Sequence, residues 1–177
     1  MSLYRAGLWT AGILGATLLG ACGFQPLYGA GRTPLDGAVV ADLAAVRIEP
    51  IPDRVGQVVR NNLLDRLTPL GEPASPRFQL SVGLAEAKEG LAVQIDNNFT
   101  RFNLTLTASY VLEDAGSGSV VTAGRVRATA AYNVLRSDFA NVIAERDAQL
   151  RAAREVSDEL KTRLAVYFGG GRAALAR

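Results

Sequence analysis

Arg101-Phe102-Asn103-Leu104-Thr105-Leu106-Thr107-Ala108-Ser109-Tyr110-Val111-Leu112 is the stretch that decides the fold. Phe102, Leu104, Leu106, Ala108, Tyr110 and Leu112 share one parity, while Arg101, Asn103, Thr105, Thr107 and Ser109 share the other. Successive side chains of a strand point to opposite faces, so this alternation describes a sheet with one dry and one polar face. Asp114-Ala115-Gly116-Ser117-Gly118-Ser119 follows as a turn signal. Beyond it, Val126, Ala128, Ala130 and Tyr132 are even, and Arg125, Arg127 and Thr129 are odd. Matching parity is what an antiparallel pair with one shared buried face requires.

Upstream, Phe78, Leu80, Val82 and Leu84 alternate with Gln79, Ser81 and Gly83 as another strand. Lys88-Glu89-Gly90 reads as a turn, and Asp96-Asn97-Asn98 as a second. Leu91 to Ile95 reads either as a short strand or as a continuation of the same hairpin. Further back, Ala44 to Glu49 suggests a first strand, closed by Pro50 and Pro52. Asp53 can then cap a helix carrying Val55, Val59, Leu63, Leu67 and Leu70, which Pro69 and Gly71 stop.

Downstream, Ser137-Asp138 offers an N-cap for the longest helix, predicted over residues 139–168. Phe139, Ile143, Leu150, Ala153, Val156, Leu160, Leu164 and Tyr167 form its apolar stripe, and Gly169-Gly170-Gly171 ends it. The predicted fold is α+β, a two-layer sandwich. Two helices pack on one face of a mostly antiparallel four-stranded sheet, in the order β-α-β-β-β-α. The opposite face would carry Arg101, Asn103, Thr105, Thr107, Arg125, Arg127 and Thr129.

The amino-terminal part reads differently. Arg5 precedes an apolar run from Ala6 to Ala21 that ends at Cys22, the only cysteine in the chain. A basic start, a short apolar stretch and small residues before a break describe a secretory signal. The run is interrupted by glycines and threonines and falls short of the ~20 apolar residues a membrane-spanning helix needs. Leu19-Gly20-Ala21-Cys22 resembles the lipobox of bacterial lipoproteins. That resemblance implies that Cys22 is lipidated and becomes the new first residue, its thiol spent on attachment. Gly23 to Asp36 lacks periodicity and reads as a tether. The expected division is residues 1–21 signal, 22–37 lipidated tether, 38–171 one domain and 172–177 a frayed tail.

Composition excludes several functions. The chain has no histidine, which removes Ser-His-Asp and Cys-His nucleophilic catalysis and the commonest zinc ligand. No acid stands out from a surface charge, so no catalytic or metal-ligating residue is assigned, and no cofactor beyond the covalent lipid is expected. The net charge is +2 with acids and bases mixed, unlike the basic footprint of a nucleic-acid binder.

Cys22-Gly23-Phe24-Gln25-Pro26-Leu27-Tyr28-Gly29 is similar to the start of mature lipopolysaccharide-assembly lipoproteins of the LptE family. The element order also resembles that family, as does the entry to the last helix, Ser137-Asp138-Phe139-Ala140-Asn141 through Ala144-Glu145-Arg146-Asp147-Ala148. The resemblance implies a non-enzymatic protein at the inner leaflet of the Gram-negative outer membrane. It would plug the β-barrel LptD, assist its assembly and contact lipopolysaccharide. Arg101, Arg125 and Arg127 are candidate contacts, because guanidinium groups bind phosphates and carboxylates in bidentate fashion. A plain solvated sheet face would carry the same residues, and exposed charges usually contribute little. Two competing functions are a periplasm-facing lipid-binding lipoprotein without a barrel partner and an envelope hydrolase, which no residue supports.

Overall fold

The deciding strand lies inside a four-stranded sheet, between the two other long strands. The computed structural model describes residues 34–93, 99–134 and 137–171. Its elements are α1 (Pro34–Ala44), β1 (Val46–Ile48), α2 (Asp53–Leu67), β2 (Phe78–Val93), β3 (Phe99–Asp114), β4 (Val120–Asn133) and α3 (Asp138–Val166). A π-helical turn, Tyr167–Gly171, follows α3. The chain divides into two units, Met1–Pro34 and Leu35–Arg177. The signal segment, Cys22 and most of the tether belong to the first and lie outside the described residues, as does the tail 172–177.

The sheet order is β1-β2-β3-β4. β1 runs parallel to the start of β2, with Val46 beside Phe78 and Ile48 beside Leu80. The β2–β3 and β3–β4 pairs are antiparallel, and Leu104 lies opposite Lys88 on one side and Ala130 on the other. The fold is α+β and mostly antiparallel, as the alternation implies. The observed order is α-β-α-β-β-β-α.

Even-numbered residues of β3 and β4 face the helices. Leu104, Leu106, Ala108, Leu112, Val126 and Ala128 are buried there. Across from them α3 contributes Ala148, Ala152, Ala153, Val156, Leu160 and Leu164. The small alanines let the helix approach the sheet closely, and burial of the larger side chains contributes about 1.5–3 kcal/mol each. Ser157 is buried in the same stripe, its hydroxyl satisfied by donation to the Ala153 carbonyl at 2.7 Å.

Four local expectations are corrected. Asp53 does not cap α2; Pro52 holds the N-cap position without a side-chain bond, and Asp53 is the first helical residue. Leu70 does not continue the stripe of α2. Pro69 cannot extend the helix, and Leu70 is fully exposed beyond it. Lys88-Glu89-Gly90 is not a turn, because β2 runs through it opposite Leu104, Asn103 and Phe102. Its irregularity is confined to register shifts between Gly90 and Val93, so residues 91–93 continue β2 rather than forming a separate strand. Finally, Phe139 and Ile143 are exposed, and the buried stripe of α3 starts at Ala148. The Asp96-Asn97-Asn98 turn lies outside the described residues.

An unexpected helix, α1, begins at Pro34, inside the stretch read as tether. Proline suits a first helical position. The helix buries Leu43 and Asp42, and Arg77 closes over it with an ion pair to Asp42 at 2.9 Å.

Gly56 is fixed by space. A Cβ there would sit 2.7 Å from Ile51 Cγ2 and 2.9 Å from the Ile51 carbonyl oxygen. Alanine gains about 1 kcal/mol of helix propensity, against about 1–3 kcal/mol for overpacking. Because the neighbour includes backbone, the overpacking cost outweighs the gain, and Gly56→Ala is expected to lose up to about 2 kcal/mol net in urea denaturation. A stabilised variant would show that the α2 entry is not tightly packed.

Candidate functional site

The candidate surfaces follow from which sheet groups the helices leave uncovered. Odd positions of β3 and β4 point away from the helices. Arg101 and Ser109 on β3, and Arg125, Arg127 and Thr129 on β4, are exposed there. Thr105 and Thr129 join across the strands by a hydroxyl hydrogen bond of 3.0 Å, and Arg125 Nε donates to Ser109 Oγ at 3.3 Å.

The three arginines do not form one cluster. Arg125 and Arg127 pair with Ser109 and Thr107, so they lie side by side, about 7 Å apart along β4. Arg101 pairs with Asn133 at the other end of the ladder, about 20 Å from that pair at the strand rise of 3.3–3.4 Å per residue.

Beside β4 runs a groove of about 520 Å³ between the strand and α3. Arg125 and Arg127 line its sheet side; Glu155, Asp158, Glu159 and Arg163 line its helix side. Glu159 accepts from Arg163 at 2.8 Å, one turn along the helix. Asp158 is clamped by Arg66 of α2, whose Nη2 donates at 3.1 Å while Nε bonds the other carboxylate oxygen. The Arg66 guanidinium holds the Asp158 carboxyl below its ordinary value. A depressed folded-state pKa contributes stability above the unfolded value, and that contribution is lost as pH falls through the folded one. Both side chains are partly exposed, so Asp158→Asn is expected to cost less than about 1 kcal/mol near neutral pH. The difference in Tm from the parent protein should vanish on acidification below pH 3.8, the ordinary carboxyl value. A difference that persists there would assign the effect to packing.

At the other end of α3 the two layers are held by charges. The helix-facing side of β2 changes from Leu80 and Val82 to Glu86 and Lys88. Lys88 pairs with Glu145, which keeps its ammonium above the ordinary pKa. Gln149 donates to Glu86 at 2.9 Å. Phe102 and Tyr132 stack with centroids 5.8 Å apart, and burial beside Glu145 raises the Tyr132 phenol. Phe139, Val142 and Ile143 stand exposed next to this network in sequence. Among the described residues no group of three or more acids could hold a metal ion.

The comparisons decide the family. The family model for LptE, lipopolysaccharide assembly, matches residues 43–164, from the end of α1 almost to the end of α3. The chain belongs to the LptE family.

Solved structures similar to this LptE-family chain include a candidate lipoprotein from Caulobacter crescentus CB15. It is 25% identical, with a TM-score of 0.65 over 76% of this chain and 98% of that one. Lipoprotein B from Nitrosomonas europaea matches at 13% identity and TM-score 0.54, covering 71% of this chain and 84% of its own. A minor lipoprotein from Acinetobacter baumannii matches at 12% identity and TM-score 0.50, covering 68% and 91%. The last two share the fold alone. No curated protein matches the chain significantly.

Sequence reading missed the β4–α3 groove and the exposed apolar end of α3. In the sequence no acid stands out from a surface charge, Glu155 and Glu159 included, and Phe139 and Ile143 read as core. The available signal for the second was the change at Glu86 and Lys88, which marks where the apolar face of β2 stops.

Proposed function

We propose that this LptE-family protein is an outer-membrane lipoprotein, anchored through lipid on Cys22. It complexes with and plugs the lipopolysaccharide-inserting β-barrel LptD, assisting barrel assembly and delivery of lipopolysaccharide to the cell surface. The family match across β1 to α3 carries this reading. The uncovered sheet face supports it, because the lumen of such a barrel is polar and water-filled and the face is built of threonine, serine and arginine. The Cys22 lipobox supplies the anchor: one acyl chain binds membranes marginally, while two or more hold stably. No helix among the described residues is long and apolar enough to cross a membrane. No chemistry of its own is assigned to the protein.

Depletion in the source bacterium tests the function. The expected result is loss of surface lipopolysaccharide with the barrel protein misassembled. Normal surface lipopolysaccharide after complete depletion would contradict it. Arg101, Arg125 and Arg127 are the candidate contacts to lipopolysaccharide phosphates or to acidic groups of the barrel. Alanine at all three is expected to weaken lipopolysaccharide binding in vitro or recovery of the complex, and no change in either would remove them from the site.

A further inference from the structure

Among the described residues the sheet has two long unpaired edges, and they are treated differently. β1 covers only Phe78 to Leu80 of β2. The rest of that edge is protected in the usual ways: register irregularities between Gly90 and Val93, and charged Glu86 and Lys88 on the helix-facing side, tied down to α3. The β4 edge carries such devices only at its two ends: a register shift between Val120 and Thr122, and the Ala131 carbonyl, which Arg151 of α3 reaches. From Thr122 to Asn133 its pairing with β3 is regular, with no proline and no charge on the helix-facing side. Such an edge is a template for another strand.

Its backbone direction is legible from one contact. Arg151 on α3 donates to the Ala131 carbonyl at 3.1 Å, so that carbonyl points off the sheet. In an antiparallel ladder the N–H and C=O of a residue point to the same side, and the side alternates. Thr129, Arg127 and Arg125 therefore also turn their backbone groups outward, the last two alongside the groove.

We infer that the β4 edge accepts an extended segment of a partner protein as a fifth strand, seated in the groove between β4 and α3. The charges specify its chemistry. On one side of the incoming strand lie Arg125 and Arg127, with no acid anywhere on β4; on the other lie Glu155, Asp158 and Glu159 together with Arg163, with Glu159 paired to Arg163 and Asp158 to Arg66, so that Glu155 leads the acidic side. Successive side chains of a strand point to opposite sides. A fitting segment carries acids on one parity, toward the arginines, and bases on the other, toward α3. A second copy docked β4 to antiparallel β4 would bring no acid to the arginines in any register, and centred on Val126 it would set arginine against arginine, which is destabilising in cross-strand positions. The strand thus comes from a different protein. The inference goes beyond the barrel reading and holds whichever protein supplies the strand.

The test uses purified full-length protein in detergent and the fluorescent peptide Val-Thr-Glu-Lys-Glu-Lys-Glu-Thr-Val-Thr. Its control, Val-Thr-Glu-Glu-Glu-Lys-Lys-Thr-Val-Thr, has the same composition with the parity broken. The alternating peptide is expected to bind saturably and to slow hydrogen exchange across residues 123–131, and the control to bind at least tenfold more weakly. Arg127→Pro removes one outward N–H and leaves the pairing to β3, and it should cost tenfold or more in affinity. The double variant Arg125→Glu with Arg127→Glu leaves the backbone unchanged, and it too should reduce affinity tenfold or more. Absence of binding, equal binding of both peptides, or binding that the charge-reversed variant leaves intact would each overturn the inference.

Discussion

Leu160→Ala is expected to destabilise the protein by about 2–5 kcal/mol, the range for emptying a well-packed core site. Leu160 is fully buried on α3, in the stripe with Val156 and Leu164, where the helix packs against β3, β4 and α2. Removing its side chain leaves a cavity bounded by a helix and a sheet that cannot both move in. Against a total stability of about 5–15 kcal/mol this is a large share. Urea denaturation measures it, with the midpoint falling and the slope unchanged. Phe139→Ala makes the contrast. That ring is on the same helix but 75% exposed, so its loss is expected to change stability by less than about 0.5 kcal/mol. Equal costs at the two positions would mean that the core extends further along α3 than the structure places it.

The second large effect concerns location. Cys22→Ser is expected to move the protein out of the processed, membrane-bound form, leaving it either uncleaved or released. The hydroxyl cannot form the thioether, and without several acyl chains no strong membrane attachment remains. Membrane fractionation with mass measurement of the mature amino terminus reads the outcome. A serine variant that stays in the membrane fraction, fully processed, would rule out the lipidated anchor.

The two effects differ in how far the sequence announced them. The alternation through Phe102–Leu112 and Val126–Tyr132 is a two-residue period with few exceptions, and β3 and β4 follow it in register. α2 was equally legible, since Val59, Leu63 and Leu67 recur at helical spacing and all are buried. α1 left almost no signal. Among its described side chains it buries only Leu43 and Asp42 fully, and Gly37 lies within it, so little separates it in sequence from a tether.

Lys88-Glu89-Gly90 has turn composition, but pairing along the whole of β3 outweighed local preference. Phe139 and Ile143 fit the helical period, yet whether a stripe is covered depends on what the sheet offers opposite it. There the sheet offers Glu86 and Lys88.

The surfaces were harder to read than the fold. Parity put Arg101, Arg125 and Arg127 on one face, but only the strand register separates Arg101 from the other two. The groove joins a strand and a helix whose facing residues are about thirty positions apart, such as Arg127 and Glu155, so no local pattern contains it. The Arg66 clamp on Asp158 spans 92 positions and is likewise invisible to spacing.

The most direct measurement is affinity purification of the tagged full-length protein from detergent-solubilised outer membranes, with the co-purifying proteins identified by mass spectrometry. The expected result is one large β-barrel protein in near-stoichiometric amount, as an obligate complex requires. Recovery of the correctly acylated protein alone would contradict the assembly-and-plug function while leaving the fold and the anchor standing.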